Sequence, residues 1–409
     1  MRCSFCGMEE SSFNPIVTGL EHSICKNCLS VANELIAEKE AELSNKEQFN
    51  LVKPKTLKAQ LDEYVIGQES AKVILSAAVY NHYKRVKLKS PIDIQKTNIL
   101  MIGPSGSGKT YIIQKLSQII NVPMVVVDAT SFTEAGYVGE DVESILKKLY
   151  LAADRDLEKT EMGIVYIDEI DKILAKSSQG QRDVNGTGVQ QALLKIIESS
   201  IVTVPLKDGS IDGASEIQIN TKNILFICGG AFVGLDKIVE ERVKSKNKPK
   251  TIGFGTPVMK NNENESEIKE VTAEDIIKFG FIPELVGRLP IIVELEKLDR
   301  DALKKVFLSP KDAIFKQYKY MFKNDGIDLD ISDEAVDFIV DSATKKATGA
   351  RGLRNVSEKY IYQLIYDVTD TEIKKIIISK EMLNDSPSNA FKYIKISPKT
   401  RNKKESLKA

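Results

Sequence analysis

Residues Gly103-Pro104-Ser105-Gly106-Ser107-Gly108-Lys109-Thr110 fit the pattern G-x-x-x-x-G-K-[ST] without a mismatch. Glycines let a backbone wrap a phosphate so that successive N–H groups point inward. In that arrangement Lys109 reaches the β- and γ-phosphates and the Thr110 hydroxyl ligates magnesium. A second segment supplies carboxylates: the apolar run Ile164-Val165-Tyr166-Ile167 leads directly into Asp168-Glu169. A buried strand ending in two acids puts them at the C-terminal edge of a parallel sheet, where ligands of such sheets bind. Asp168 is expected to hold magnesium through water, and Glu169 to orient and deprotonate the attacking water. Either motif alone competes with a chance glycine turn or a solvated acidic turn. Together they point to binding and hydrolysis of ATP.

The cysteines form a second constellation. Four of the five fall in Cys3-x-x-Cys6 and Cys25-x-x-Cys28, with 18 residues between the pairs. Two such knuckles place four thiolates tetrahedrally around one Zn²⁺, with no open position, so the site is structural. A segment of this length buries too little surface to fold unaided, and metal supplies the stability. Residues 1–50 carry eight acidic and four basic side chains. That balance disfavours a DNA-binding ribbon, which needs cations against phosphate, and favours a protein-docking module. His22 lies between the pairs and is read as a surface residue.

These residues need a frame. Short β-rich runs at Ile99–Ile102, Val125–Val127, Ile164–Ile167 and Ile224–Ile227 alternate with helical spacing, as in Ile112, Leu116 and Ile119. Buried continuous runs separated by helices predict a parallel sheet covered on both faces, an α/β fold. After Pro290 the character changes to amphipathic helices, over Asp301 to Phe322 and Asp333 to Thr344. They flank the alternation Ile327-Asp328-Leu329-Asp330-Ile331, and a further helix after Gly352 leads to the strand Ile376-Ile377-Ile378. This predicts a smaller α+β domain. The expected organisation is a zinc module with a helix over 1–50, a linker over 51–60, a large ATPase domain over 61–295, a small domain over 296–398 and a tail over 399–409. The hydrophilic stretch from Glu240 to Glu270 reads as a long exposed loop.

Several further segments resemble the ClpX family of AAA+ protein unfoldases, motors that feed proteins to the separate ClpP peptidase. They are Asp62-Glu63-Tyr64-Val65-Ile66-Gly67-Gln68, Gly136-Tyr137-Val138-Gly139, Arg182-Asp183-Val184, Ile252-Gly253-Phe254-Gly255, Gly287-Arg288-Leu289-Pro290 and Gly349-Ala350-Arg351-Gly352-Leu353-Arg354. The resemblance covers nearly the whole chain. It implies a P-loop large domain, a small domain, and a ring-shaped homo-hexamer with ATP, Mg²⁺ and Zn²⁺ as cofactors. By the same resemblance Tyr64, Val65, Ile66 and Gly67 hold the adenine, and the phosphate loop from Gly103 and Pro104 through Tyr111 holds the phosphates. Arg288 is the finger reaching a neighbour's γ-phosphate, catalytic with Glu169 and Lys109, and Arg351 is the sensor arginine. Guanidinium suits both roles because it stays charged and meets phosphate bidentately. From the sequence alone either arginine is equally a surface ion-pair partner. Tyr137 and Val138 match the loop that grips polypeptide in the axial pore, with Arg182 in a second pore loop. Ile252, Gly253 and Phe254 match the tripeptide that docks ClpP. Tagged or unfolded proteins and adaptor proteins are the further partners implied.

Two features depart from the family pattern. The family's Arg-Lys-His cluster at the pore entrance is replaced by Leu206-Lys207-Asp208-Gly209-Ser210-Ile211-Asp212-Gly213-Ala214, a weak trap for a carboxylate tag. The strand ending Cys228-Gly229-Gly230 offers no Asn or Thr to sense the γ-phosphate, and no residue is assigned that role.

Composition sets the exclusions. Lys+Arg and Asp+Glu both number 58, so there is no general field for capturing nucleic acid or an anionic membrane. No apolar run is long enough to span a bilayer and no signal or transit peptide opens the chain, so the expected location is cytoplasmic. The two histidines, His22 and His82, lie in no Ser-His-Asp or Cys-His arrangement, so no peptidase activity is expected.

Overall fold

In the computed structural model, residues 1–11, 14–19, 22–46, 49–88, 92, 94–132, 141–174, 186–198, 200–205, 216–247, 270–345, 349–368, 371 and 373–385 are described. The chain divides into two units, Met1–Asn50 and Leu51–Ala409.

In the first unit, β1 (Ile16–Thr18) pairs antiparallel with β2 (Ser23–Cys25), setting Ile16 opposite Cys25. The Gly19 amide donates to the His22 carbonyl at 2.8 Å and closes the hairpin. A helix, Lys26–Lys46, follows β2 directly. Among the described residues of this unit, the buried hydrophobic side chains are Cys3 and Cys25, while Phe5, Val31 and Leu35 stay exposed. Among the described residues, no larger apolar side chain of this unit is buried.

The second unit is built on a five-stranded sheet in the order β4–β5–β8–β3–β9, with every pairing parallel. Its strands are β3 (Ile99–Ile102), β4 (Met124–Asp128), β5 (Ile164–Asp168), β8 (Leu225–Gly230) and β9 (Ile291–Glu294). The central strands β3 and β8 are buried along their whole length. This is why they read as unbroken apolar runs: helices cover both faces, so no position alternates outward. The remaining strands of the large part, β6 (Ile201–Pro205) and β7 (Glu216–Asn220), form an antiparallel hairpin.

One apolar cluster contains Leu100, Leu146, Ile167 and Phe226 and packs this sheet. A second contains Phe307, Phe322, Leu329, Leu353 and Ile376. It closes around the parallel pair β10 (Asp328–Ile331) and β11 (Lys375–Ile378) and the helices Arg300–Leu308, Ile314–Asn324, Asp333–Lys345 and Gly349–Val368. Among the described residues, no helix is long and apolar enough to cross a membrane.

Three expectations change. The helix expected from Asp301 to Phe322 is two helices, because Pro310 lacks the N–H that a continuous ladder needs. The stretch read as a linker includes the start of the helix Pro54–Asp62, which buries Leu57 and Leu61. The stretch read as an exposed loop from Glu240 begins inside the helix Leu235–Asn247, and residues 248–269 lie outside the described residues.

Candidate functional site

The phosphate loop leaves β3 where the backbone is crowded. A Cβ on Gly103 would stand 2.8 Å from Leu295 Cβ, so only glycine fits. Gly106 and Gly108 adopt φ of 76° and 98°, open to glycine at little cost. The helix Lys109–Ile120 then begins, anchored by the buried Ile112, Ile113, Leu116 and Ile120. Its first-turn amides and dipole face the loop, as an anion site requires. Inside the loop, Lys109 Nζ donates to the carbonyls of Gly103 at 2.5 Å and Pro104 at 3.1 Å. Burial lowers the Lys109 pKa, opposed by the charge of Asp168.

The acidic strand end meets this loop. Thr110 Oγ1 donates to Asp168 Oδ2 at 2.9 Å. The Glu169 amide donates to Asp168 Oδ1 at 3.0 Å, and the Tyr166 hydroxyl lies 3.4 Å from the same oxygen. Glu169 sits at φ 55°, a left-handed conformation that a non-glycine residue adopts at a cost. The chain thereby turns sharply off β5 and leaves Glu169 lining the cavity. A hydroxyl and a carboxylate in contact form a hard-oxygen set that suits Mg²⁺.

These groups open into a cavity of about 680 Å³. Tyr64, Val65 and Ile66, residues 105–111, the pair Asp168 and Glu169, and Arg351 all line it. Gly103 and Pro104 frame it from behind through Lys109, and Gly67 makes a turn at φ 67° without lining it. Arg351 comes from the second apolar cluster's side, on the helix Gly349–Val368. That helix's Ala350 amide donates to the Gly106 carbonyl at 3.2 Å. A Cβ on Gly349 would stand 2.9 Å from that carbonyl, so the helix start abuts the phosphate loop.

Several site residues carry no motif. Asp312 accepts from the Tyr111 hydroxyl at 2.6 Å and pairs with Lys115 at 2.7 Å, tying the small domain to the loop helix. Burial and this contact raise the Tyr111 pKa. Asp171 is buried and accepts from the amides of Ala231 and Phe232 at 3.1 and 3.3 Å, which fixes the end of β8. At that end a Cβ on Gly229 would collide with the Tyr166 hydroxyl. The glycine therefore makes room for Tyr166, whose hydroxyl is the polar group beside Asp168. In sequence Tyr166 reads only as a buried strand residue.

Arg288 does not line the cavity. Its guanidinium pairs with Glu198 at 2.9 Å and is half exposed, while its carbonyl accepts from Asn98 Nδ2 at 2.9 Å. The backbone is thus fixed and the side chain faces outward.

In the first unit the ligand atoms of Cys3, Cys6, Cys25 and Cys28 all lie within 4.8 Å of one another. Burial opposes ionisation of Cys3, but the amides of Cys6, Cys25 and Phe5 outweigh it and bring the thiol down to about 6. Hydrogen bonding from Cys6, with burial, pushes Cys28 up to about 12. Four sulfurs this close cannot all ionise without a cation between them. The donor set fits Zn²⁺, soft, fourfold and closed. Tyr137, Val138, Arg182, Ile252, Gly253, Phe254 and the segment 206–215 lie outside the described residues.

Three family models match the chain. Residues 1–38 match the ClpX C4-type zinc finger, residues 94–292 the AAA domain (Cdc48 subfamily), and residues 298–376 the C-terminal, D2-small domain of ClpB protein. Two relatives are each called ATP-dependent Clp protease ATP-binding subunit ClpX, from Borrelia duttonii (strain Ly) and Borrelia recurrentis (strain A1). Each is 45% identical over 389 residues, covering 93% of this chain and 90% of the relative.

Proposed function

The chain belongs to the ClpX family of AAA+ ATPases, and from that premise we propose how its residues divide the work of an ATP-driven protein unfoldase. The chain is an ATP hydrolase that unfolds proteins and delivers them to the ClpP peptidase, with a C4 zinc site at its N-terminal end. The observation that carries the assignment of roles is the meeting of Thr110 and Asp168 beside Glu169, inside one cavity that Arg351 also lines.

ATP lies with its base against Tyr64, Val65 and Ile66 and its phosphates in the loop 103–110. Lys109 and the loop amides neutralise the phosphate oxygens, and Thr110 and Asp168 hold Mg²⁺. When bound, the ion offsets charge that develops on the β- and γ-phosphates. Glu169 accepts a proton from the attacking water, a contribution of roughly 10²- to 10⁴-fold. Arg351, on the helix that abuts Gly106, answers the loss of the γ-phosphate by releasing the small domain. Arg288 serves a neighbouring subunit, because its side chain points away from its own cavity. Six subunits form the ring, Tyr137, Val138 and Arg182 face its pore, and Ile252, Gly253 and Phe254 dock ClpP. The zinc module receives adaptors and substrates.

Mixing two inactive variants, Glu169→Gln and Arg288→Ala, tests the shared site. A finger acting between subunits restores ATP turnover in the mixture, since one partner supplies the glutamate and the other the arginine. A mixture as inactive as its parts places Arg288 in its own subunit's site and overturns the shared arrangement.

A further inference from the structure

Gln68 is 5% exposed, stands outside the cavity and holds φ at 57°. Its side-chain amide takes both backbone groups of one distant residue. Nε2 donates to the Glu296 carbonyl at 2.8 Å, and Oε1 accepts from the Glu296 amide at 2.9 Å. The same Nε2 lies 3.5 Å from the carbonyl of Ser107 in the phosphate loop.

Glu296 occupies a particular place in the chain. β9 ends at Glu294, and the first helix of the small domain begins at Arg300. Ile292 packs on the sheet's apolar cluster, and Leu298 packs on the small domain's. Residue 296 is therefore on the connection between two cores. Glu296 is an exposed residue, whereas Gln68 is buried and left-handed, a costly placement for a side chain that serves only to pair an exposed connection. Its gain is geometric: it fixes residue 296 to the large domain, two residues before Leu298 joins the small domain's core.

We propose that Gln68 is a positioning residue that sets the pivot between the domains and couples it to the phosphate loop. The proposal rests on the unfoldase reading above. Displacement of Ser107 when the phosphates leave bears on the same Nε2 that holds Glu296, so the pivot follows the nucleotide state.

The test uses the full chain with bioorthogonal labels at Glu158 and Tyr366, one on each domain and both exposed. In the parent the distance between labels differs between the ATP-bound and ADP-bound states. Gln68→Leu is expected to erase most of that difference. ATP consumed per substrate molecule unfolded should rise about tenfold, the scale of one or two lost hydrogen bonds, while basal turnover stays within about threefold. Hydrogen exchange at the Glu296 amide should accelerate, because its acceptor is gone. Faster exchange at Glu296 with the parent's nucleotide-dependent distance change and coupling ratio intact would mean a structural clasp only, and overturns the proposal. Gln68→Glu keeps the acceptor for the Glu296 amide and loses the donor to the Glu296 and Ser107 carbonyls. If the leucine variant does not fold, loss of the nucleotide-dependent distance change in this variant supports the proposal and its persistence overturns it. A parent that unfolds no substrate contradicts the unfoldase reading, and the distance measurement then decides the pivot alone.

Discussion

The Thr110 hydroxyl donates to the Asp168 carboxylate at 2.9 Å across a gap of 58 residues in sequence. One residue opens the helix after β3, and the other closes β5. The strands are not neighbours, since β8 lies between them. Both nevertheless end at the same sheet edge, which is where ligands of parallel sheets collect.

Loss of the Asp168 charge should appear as a magnesium defect. Asp168→Asn is expected to raise the Mg²⁺ concentration that half-saturates ATP turnover by about tenfold or more, on the scale of a charged hydrogen bond. Tyr166→Phe removes only the long 3.4 Å contact and should shift it much less. Magnesium titrations of turnover measure both. Equal shifts would contradict the assignment of Asp168 to the metal.

The zinc module should depend on its metal independently of the ATPase unit. One zinc per chain is expected by elemental analysis, and Cys25→Ser should lose it together with the hairpin of residues 16–25. Metal supplies roughly 10 kcal/mol or more in such modules, and among the described residues the only buried hydrophobic side chains here are two of its own cysteines. Basal ATP turnover by the rest of the chain should persist. A folded, zinc-free module would contradict the account.

The contiguous parts of the site were legible because local sequence spells them. A phosphate loop needs glycines at fixed offsets, a zinc knuckle needs Cys-x-x-Cys, and buried parallel strands need apolar runs. What sequence did not reveal depends on pairing between distant segments. β9 stands outside the strands expected from sequence, because the short run Ile291 to Val293 takes its meaning from lying beside β3. Asp312 carries no motif, and its role comes from the Tyr111 hydroxyl and Lys115 arriving beside it. The break at Pro310 is in plain view, yet the apolar spacing on either side favours one continuous helix. The strand end at Gly229 offers no polar sensor side chain, and the reason a glycine stands there, the Tyr166 hydroxyl packed against it, lies 63 residues away in sequence.

Stability should rise with pH through one half-buried amine. Lys96 Nζ donates to the Thr221 carbonyl at 2.8 Å and sits over the Phe226 ring. Burial, with the Arg85 charge, lowers its pKa from 10.5 to about 7. Between those values the unfolded chain binds the proton and the folded chain does not, so raising the pH favours folding. Denaturant unfolding at pH 7 and pH 9 should show a smaller gain for Lys96→Met than for the parent. Parallel behaviour of the two would contradict the shift.

A buried ion pair ties together the chain on either side of residues 248–269. Arg242 Nε donates to the Asp275 carboxylate at 2.9 and 3.1 Å, and Nη2 to the Glu270 carbonyl at 2.8 Å. Both side chains are almost fully buried, at 8% and 0% exposure. Removing one partner strands the other, a cost of about 3–5 kcal/mol. Arg242→Met should therefore destabilise the Leu51–Ala409 unit strongly in denaturant unfolding. A change below about 1 kcal/mol, the range of an exposed pair, would show that the pair is not isolated from water.

The most direct test of the central claim is ATP-dependent loss of native fluorescence from a stable folded protein carrying an unstructured tail. The parent chain is expected to unfold it while ATP lasts. Glu169→Gln should bind ATP with the parent's affinity and unfold nothing. ATP consumption without unfolding of any tailed substrate, or unfolding by the Glu169→Gln variant, would contradict a hydrolysis-driven unfoldase.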